Sequence, residues 1–245
     1  VDTLISSFLP VGVLTAITYA DNINQLPLGT VAIALFTVLL PEMSARLARG
    51  DAAGAQGAQN HAAALALLLT LPFMAAFLLV PHTIMRGVFA HGHFSIAAAD
   101  ISASALAAYG VGLPAFVLVR VLAATFYARH DTATPVRGTL LAGAVNIGMK
   151  FALVWGLHLG AAGVALGTSL GSWANVMVLF WLGWRRGLLR IDTHLTRALP
   201  AILLAAAATG AAALGAVMAA QEAHLAKEIV LAAAVLAGAC AYGLV

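Results

Sequence analysis

Asp21, Asn22, Asn24 and Gln25 crowd four polar side chains into five positions, and Pro27 and Gly29 follow at once. They sit in the stretch YADNINQLPLGTVAIALFTVLLPEMS, residues 19–44, whose right half is nearly pure hydrocarbon. An acid and three amides can line a watery cavity, or they can cap helix ends. A cap needs one or two polar groups, so the excess points to a wet, polar vestibule. Two cations join this set, because Lys150 and Arg120 lie within long apolar runs. A charge at the bilayer centre costs roughly 2.5–3.5 kcal/mol on insertion scales, so such residues face a bundle interior or a watery cavity. The alternative is a long side chain that reaches back to the interface. From the middle of its run, Lys150 has far to reach, which favours the interior. Asn146, four residues earlier, shares its helix face, and Asp2 is the one acid before Asp21. Arg120 lies closer to a loop, and both readings stay open for it.

Catalytic apparatus is not legible. There is no nucleophile elbow, no glycine-rich phosphate loop and no zinc-type spacing, so no catalytic residue, metal site or cofactor is expected, and the chain is not expected to be an enzyme. His91-Gly92-His93 lacks the further ligands that a zinc site needs and reads as a turn about Gly92. The single Cys240 lies in an apolar run and suggests neither a disulfide nor a metal cluster.

The elements that must position these residues are membrane helices. The chain is 62% hydrophobic and 9% charged, with a mean hydropathy of +0.99. A soluble domain carries roughly 25% charged residues. Residues 52–85, 151–184 and 198–221 hold no Asp, Glu, Lys or Arg, and a span needs about 20 apolar residues. The fold class is therefore all-α, a polytopic membrane bundle. Eight spans are predicted, near 1–20, 25–46, 60–80, 97–125, 137–157, 162–184, 197–219 and 227–245. Pro10, Pro72 and Pro114 fall within them, where kinks are expected. The segment SARLARGDAAGAQGAQNHAA, between the second and third spans, reads as a plain linker, with a short surface helix as the weaker alternative.

Basic residues set the orientation. Arg46, Arg49, Arg129, Arg137, Arg185, Arg186, Arg190 and Arg197 fall on one side, against Arg86 and Lys227 on the other. That bias places the first set in the cytoplasm and the DNINQLP turn outside. The net charge of +3 is thus a topology signal, and no nucleic-acid partner is expected. The chain opens Val-Asp inside an apolar segment, which suggests a piece of a longer protein.

Three stretches carry a resemblance. YADNINQLPLGTVAIALFTVLLPEMS resembles the "YADR…LPLG…AL…T..LP..S" pattern of the MurJ/MviN lipid II flippase family, VFAHGHFSIAAAD resembles its "LF..G.F" loop, and FYARHDTATPV resembles its "FYAR.DT.TPV" signature. That family belongs to the multidrug/oligosaccharidyl-lipid/polysaccharide exporter superfamily and has fourteen helices in two lobes. The resemblance implies that these eight spans are the seventh to the fourteenth. It divides the chain into a second-lobe bundle at 1–184 and a C-terminal helix pair at 185–245, the pair being suited to a lipid tail. It implies flipping of lipid II, the undecaprenyl-pyrophosphate-linked peptidoglycan precursor, across the bacterial inner membrane by alternating access. The partners implied are that precursor, membrane lipids and a six-helix N-terminal lobe. Asp21 matches the acid of the family's cavity-facing Asp-Arg pair, whereas Asn22 stands where its Arg is expected. Asp2 and Asn146 match positions of a cation site, and Lys150 falls where an acidic ligand belongs, so an ammonium takes the ion's place. The rival readings are a flippase for another polyprenyl-linked glycan, a drug or cation antiporter of the same superfamily, and a non-transporting membrane scaffold.

Overall fold

The structure is a computed structural model and describes residues 5, 8–10, 12–89, 95–222 and 227–243. Among these the regular elements are all helical. In chain order they are α1 (Val13–Pro27), a π-helical turn (Leu28–Ala32), α2 (Ile33–Ala48), α3 (Ala52–Leu79), the short α4 (Pro81–Phe89) and α5 (Ile96–Tyr127). Then come α6 (Ala133–Phe151), a second π-helical turn (Ala152–Gly156), α7 (Gly160–Arg185), α8 (Thr193–Glu222) and α9 (Lys227–Gly243). Among the described residues six runs are long and apolar enough to cross a membrane, and Ile229–Tyr242 is a shorter apolar helix.

The membrane character is written on the outer surface. Leu140, Leu204, Val235 and Leu236 are exposed large apolar residues on helices, an arrangement that fits lipid and not water. The helix most enclosed by protein is α5. Its face carrying Leu106, Leu113, Val117 and Val121 is sealed by α1, α2, α3 and α7.

One expected boundary moves. The predicted break near residues 21–25 is absent, because Val13–Ala48 runs as one helical rod of 36 residues. Gln25 Nε2 donates to the Asp21 carboxylate one turn back, so the polar cluster supports the helix and does not end it. Pro27 has no N–H and crowds the carbonyl four residues back. The ladder answers by widening into the π-helical turn Leu28–Ala32. Thr30 Oγ1 donates to the carbonyls of Leu26 (3.0 Å) and Pro27 (3.2 Å), which the widened turn loosens. The chain bends instead at 8–10, ahead of Gly12, whose φ of +97° suits glycine alone. Pro10 therefore lies outside any described helix.

The expected linker is also structured. Residues 49–51 make a tight turn, with Gly50 at φ +76°, and α3 begins at Ala52. Asp51 caps it by accepting from Gly54 N at 2.8 Å, and Arg46 bonds both Glu42 and Asp51. The amides that read as linker composition brace α3 instead. Gln59 Oε1 accepts from Thr125 Oγ1 at 2.8 Å, Asn60 Nδ2 donates to Arg190 O at 2.7 Å, and Gln56 Nε2 donates to Gly187 O.

The FYARHDTATPV stretch is a second brace. Asp131 accepts from Thr134 N (2.9 Å) and Thr134 Oγ1 (2.6 Å) at the start of α6 and pairs with Arg186 at 2.7 Å. These bonds, led by the Thr134 hydroxyl, hold the Asp131 carboxyl below the usual carboxylate range. At the opposite end of the bundle Arg86 on α4 grips Asp100 on α5 through two bonds of 2.7 Å, and α4 packs on α9 through Gly87 and Leu231.

Between α6 and α7 the backbones nearly touch. Gly163, Gly167 and Gly171 recur every four residues on α7 and lie against Leu153/Val154, Lys150 and Asn146 of the α6 rod. A Cβ on Gly167 would sit 2.4 Å from Lys150 Cγ, and one on Gly171 would sit 3.0 Å from Ala142 O. This is the small-residue packing that brings membrane helices together.

Candidate functional site

A cavity of about 370 Å³ opens between α1, α5 and α7. From the α1 rod come Asp21, Asn24, Gln25, Leu28 and Gly29; from α5 come Tyr109, Phe116 and Arg120; from α7 comes Thr168. Asp21, Asn24, Gln25 and Leu28 are spaced i, i+3, i+4, i+7, which is one face of a helix. The cluster starts eight residues into α1, or ~12 Å from its end. It therefore lies within the membrane-spanning rod and not in an outer turn.

Asn24 is the most telling of these residues. It is 2% exposed, and its Oδ1 has no hydrogen-bond partner among the described residues. A buried acceptor left unpaired costs about 1–3 kcal/mol, so it stands ready for a donor such as a hydroxyl or amide N–H. Arg120 extends into the cavity, exposed, with no ion pair among the described residues. The same guanidinium borders a second pocket of about 230 Å³, lined by Phe36, Ala123, Tyr127, Pro135 and Thr139 among others.

Of the five cavity residues singled out from sequence, the fold thus gathers Asp21, Asn24, Gln25 and Arg120. Asn22 is exposed and does not line the cavity; one residue past Asp21, it points ~100° away round the helix. Its position therefore says little about cavity charge. Lys150 and Asn146 belong elsewhere, on the α6 face that meets α7. Lys150 is fully buried and is not an isolated charge. Asp2 and the His91-Gly92-His93 motif lie outside the described residues. No cluster of three metal-ligating side chains occurs among those that are described.

Sequence reasoning missed Tyr109, Phe116 and Thr168. Tyr109 and Phe116 share a face with Arg120 at i, i+7 and i+11, a spacing that could have found them once Arg120 was assigned to a cavity. Thr168 carries no comparable signal; it is placed by its neighbour Gly167, which turns one side of α7 to Lys150 and leaves the next residue to the cavity.

Comparison with known proteins gives a consistent set of relatives. The sequence profile of the family described as "Lipid II flippase MurJ" matches residues 1–231. The "Probable lipid II flippase MurJ" of Rhizobium meliloti (strain 1021) is 40% identical over 206 residues, covering 82% of this chain and 37% of the relative. That of Rickettsia prowazekii (strain Madrid E) is 35% identical over 201 residues, covering 82% and 39%. The chain thus spans well under half the length of these relatives. Among solved structures, "Lipid II flippase MurJ, inward closed conformation" superposes with a TM-score of 0.78 at 23% identity, over 99% of this chain and 48% of that one. An outward-facing multidrug resistance MATE family transporter of the MOP superfamily gives 0.67 at 18% identity, over 98% and 57%. These two likenesses speak for the fold.

Proposed function

The chain belongs to the lipid II flippase MurJ family, and we propose that it forms the second half of a flippase that carries lipid II across the bacterial inner membrane by alternating access. The observation that carries this reading is the cavity between α1, α5 and α7, a polar space that holds the Arg120 guanidinium and the Asp21 carboxylate inside a bundle whose outer face is hydrocarbon. A pyrophosphate-linked sugar cannot cross ~30 Å of hydrocarbon unaided. Arg120 offers charge, Asn24 and Gln25 offer amides, and Thr168 offers a hydroxyl on the opposite wall. None of these groups forms a nucleophile and base, which suits transport without covalent chemistry.

The chain divides at residue 185 into a second-lobe bundle and a C-terminal pair, α8 and α9, that holds the isoprenoid tail. An apolar groove of about 450 Å³ between α3, α8 and α9 supports this division. Leu65, Leu68, Ala201 and Ile202 line it, with His61 and His194 at one end. The partners are the lipid-linked precursor, surrounding lipids and an N-terminal six-helix lobe. The deciding experiment is rescue of lipid II translocation in cells depleted of their own flippase, using the complete protein that carries these residues. Absence of rescue at normal membrane abundance sinks the reading.

A further inference from the structure

We propose that His61 and His194 form a two-imidazole chelate for a late first-row transition-metal dication, and that the bound ion fastens α8 to α3 at the mouth of the apolar groove. The chelate stands on the geometry alone, and its effect on transport rests on the flippase reading.

The two rings come from different elements. His61 lies on α3 and His194 in the first turn of α8, yet their ring centroids are 5.6 Å apart, with the planes tilted by 44°. A zinc–nitrogen bond of about 2.0–2.1 Å puts each centroid roughly 3.2 Å from the ion, so two imidazoles on one ion have centroids ~5.2 Å apart at a tetrahedral angle and ~5.6 Å apart at ~120°. The observed separation falls in that range. Both histidines are exposed, and neither ring has a hydrogen bond or ion pair with a described residue. Turning their nitrogens toward one point therefore breaks nothing, and the second torsion of a histidine is a broad one.

The backbone on both sides is held. Asn60, beside His61, donates to Arg190 O at 2.7 Å, and Gln56 donates to Gly187 O at 3.1 Å, so α3 grips the turn that leads into α8. Asp192 accepts from Leu195 N at 2.8 Å and fixes the first turn of α8. Ala64 and Leu195, close after the two histidines, share one apolar cluster with Ile202. Ligands preset in this way lose little freedom on binding. The surroundings select the ion. The described groove lining holds no Asp, Glu, Lys or Arg, and the Tyr242 hydroxyl is engaged by Leu68 O. Hard ions that want several oxygen ligands are thus poorly served, whereas neutral imidazole suits Zn²⁺, Cu²⁺ or Ni²⁺. His194 follows the turn that carries Arg185, Arg186 and Arg190, so the ion comes from the cytoplasm. A pair supplies fewer protein ligands than the three or four of a resident zinc site. The ion therefore exchanges and acts as a regulator: with α8 tied to α3, the mouth between them cannot widen. Nothing in the residue order signals this pair, because α3–α8 packing alone brings its members together.

The test titrates Cu²⁺ and Zn²⁺ into the complete protein in nanodiscs. Electron paramagnetic resonance of the Cu²⁺ form should show two imidazole nitrogens on one ion, and Zn²⁺ alone should raise the melting temperature. His61→Ala and His194→Ala should each weaken binding by at least about tenfold, since even outer-shell partners of a metal ligand are worth about 10–100-fold. Each should lose the Zn²⁺ stabilisation while melting as the unsubstituted protein does in chelator. His194→Asp, which restores a ligand, should recover part of the affinity and so rules out a folding defect. Joint replacement of His91 and His93 by Ala should leave the two-nitrogen signal in place. A one-nitrogen spectrum, equal affinity in either single variant, or loss of the signal with His91 and His93 overturns the chelate and leaves a packed ring pair. In transport, saturating Zn²⁺ should slow lipid II translocation severalfold in the unsubstituted protein and leave the rate of His61→Ala where it stands without Zn²⁺. Chelation without that slowing sinks the latch. A complete protein that never translocates lipid II sinks the flippase reading and leaves the binding result to decide the chelate.

Discussion

Lys150 and Arg120 are both cations inside membrane helices, yet the fold treats them in opposite ways. Lys150 is sealed: its stem lies on Gly167, and nothing of it reaches the surface. Arg120 is open, bordering two pockets with no described partner. The difference comes from α7. A glycine at 167 lets α6 approach until the lysine is enclosed, while Thr168, one position round the helix, faces a space kept clear for Arg120. A charge in a bilayer is structural or functional according to what its neighbours leave out.

The sharpest way to break this contrast is to fill the glycine. Gly167→Val puts carbon 2.4 Å from Lys150 Cγ and 3.1 Å from its backbone N, so α6 and α7 must part. We expect a loss of about 3 kcal/mol or more, read as a collapse of thermal stability in detergent. Gly143→Ala on α6, where nothing lies within 4 Å, should instead hold or slightly raise stability; equal damage from both would remove α6–α7 contact as the cause.

Next in size is the exchange of the cations themselves. Lys150→Met should cost roughly 2–3 kcal/mol, because a buried charge-bearing group loses its interaction. Arg120→Met should stay within about 0.5 kcal/mol while weakening diphosphate binding. If melting curves rank the two the other way, the sealed-versus-open distinction is wrong.

Asn24→Leu probes the open side more finely. Its Oδ1 has no described partner, so the substitution should leave melting unchanged or raise it by up to about 1 kcal/mol. Transport by the complete protein should fall all the same. A variant both destabilised and fully active would make Asn24 a packing residue.

The smallest effect lies outside the membrane. Asp131 has a depressed carboxyl pKa, so its contribution is complete above the ordinary carboxylate range and fades as pH falls through the folded value. Asp131→Asn should cost under about 1 kcal/mol near neutral pH, and the gap from the unsubstituted protein should close in acid. A gap that widens as pH falls contradicts the assignment.

Much of this was legible from residue order. Spans near 97–125, 162–184 and 197–219 lie within α5, α7 and α8, because charge-free runs with clear flanks leave a membrane helix no other length. The polar cluster was found, but its setting was misread. Four polar residues before a proline look like a turn, and only the Gln25–Asp21 bond and the widened turn after Pro27 show why the helix continues. The 46–60 region failed for a related reason. Ala, Gly and Gln compose linkers and buried helix faces alike, and what separates them here is reach to Arg190 O and Thr125. Enclosure of Lys150 followed from cost alone, whereas the partition of Asn22 from Asp21 needed the helix phase.

The rod Val13–Ala48 has a mechanical side. Its widened turn sits at Leu28–Ala32, and the 16 residues of α2 project beyond it, an arm of ~24 Å. Flexing that joint by ~10° swings the far tip by ~4 Å, given that arm length. The tip carries Arg46, which is paired with Glu42 one turn back and with Asp51 at the start of α3. Small changes of shape at the cavity wall, where Leu28 and Gly29 form the fulcrum, are thus magnified at the far end of the rod and delivered to α3, against which Leu39 and Met43 of α2 are packed.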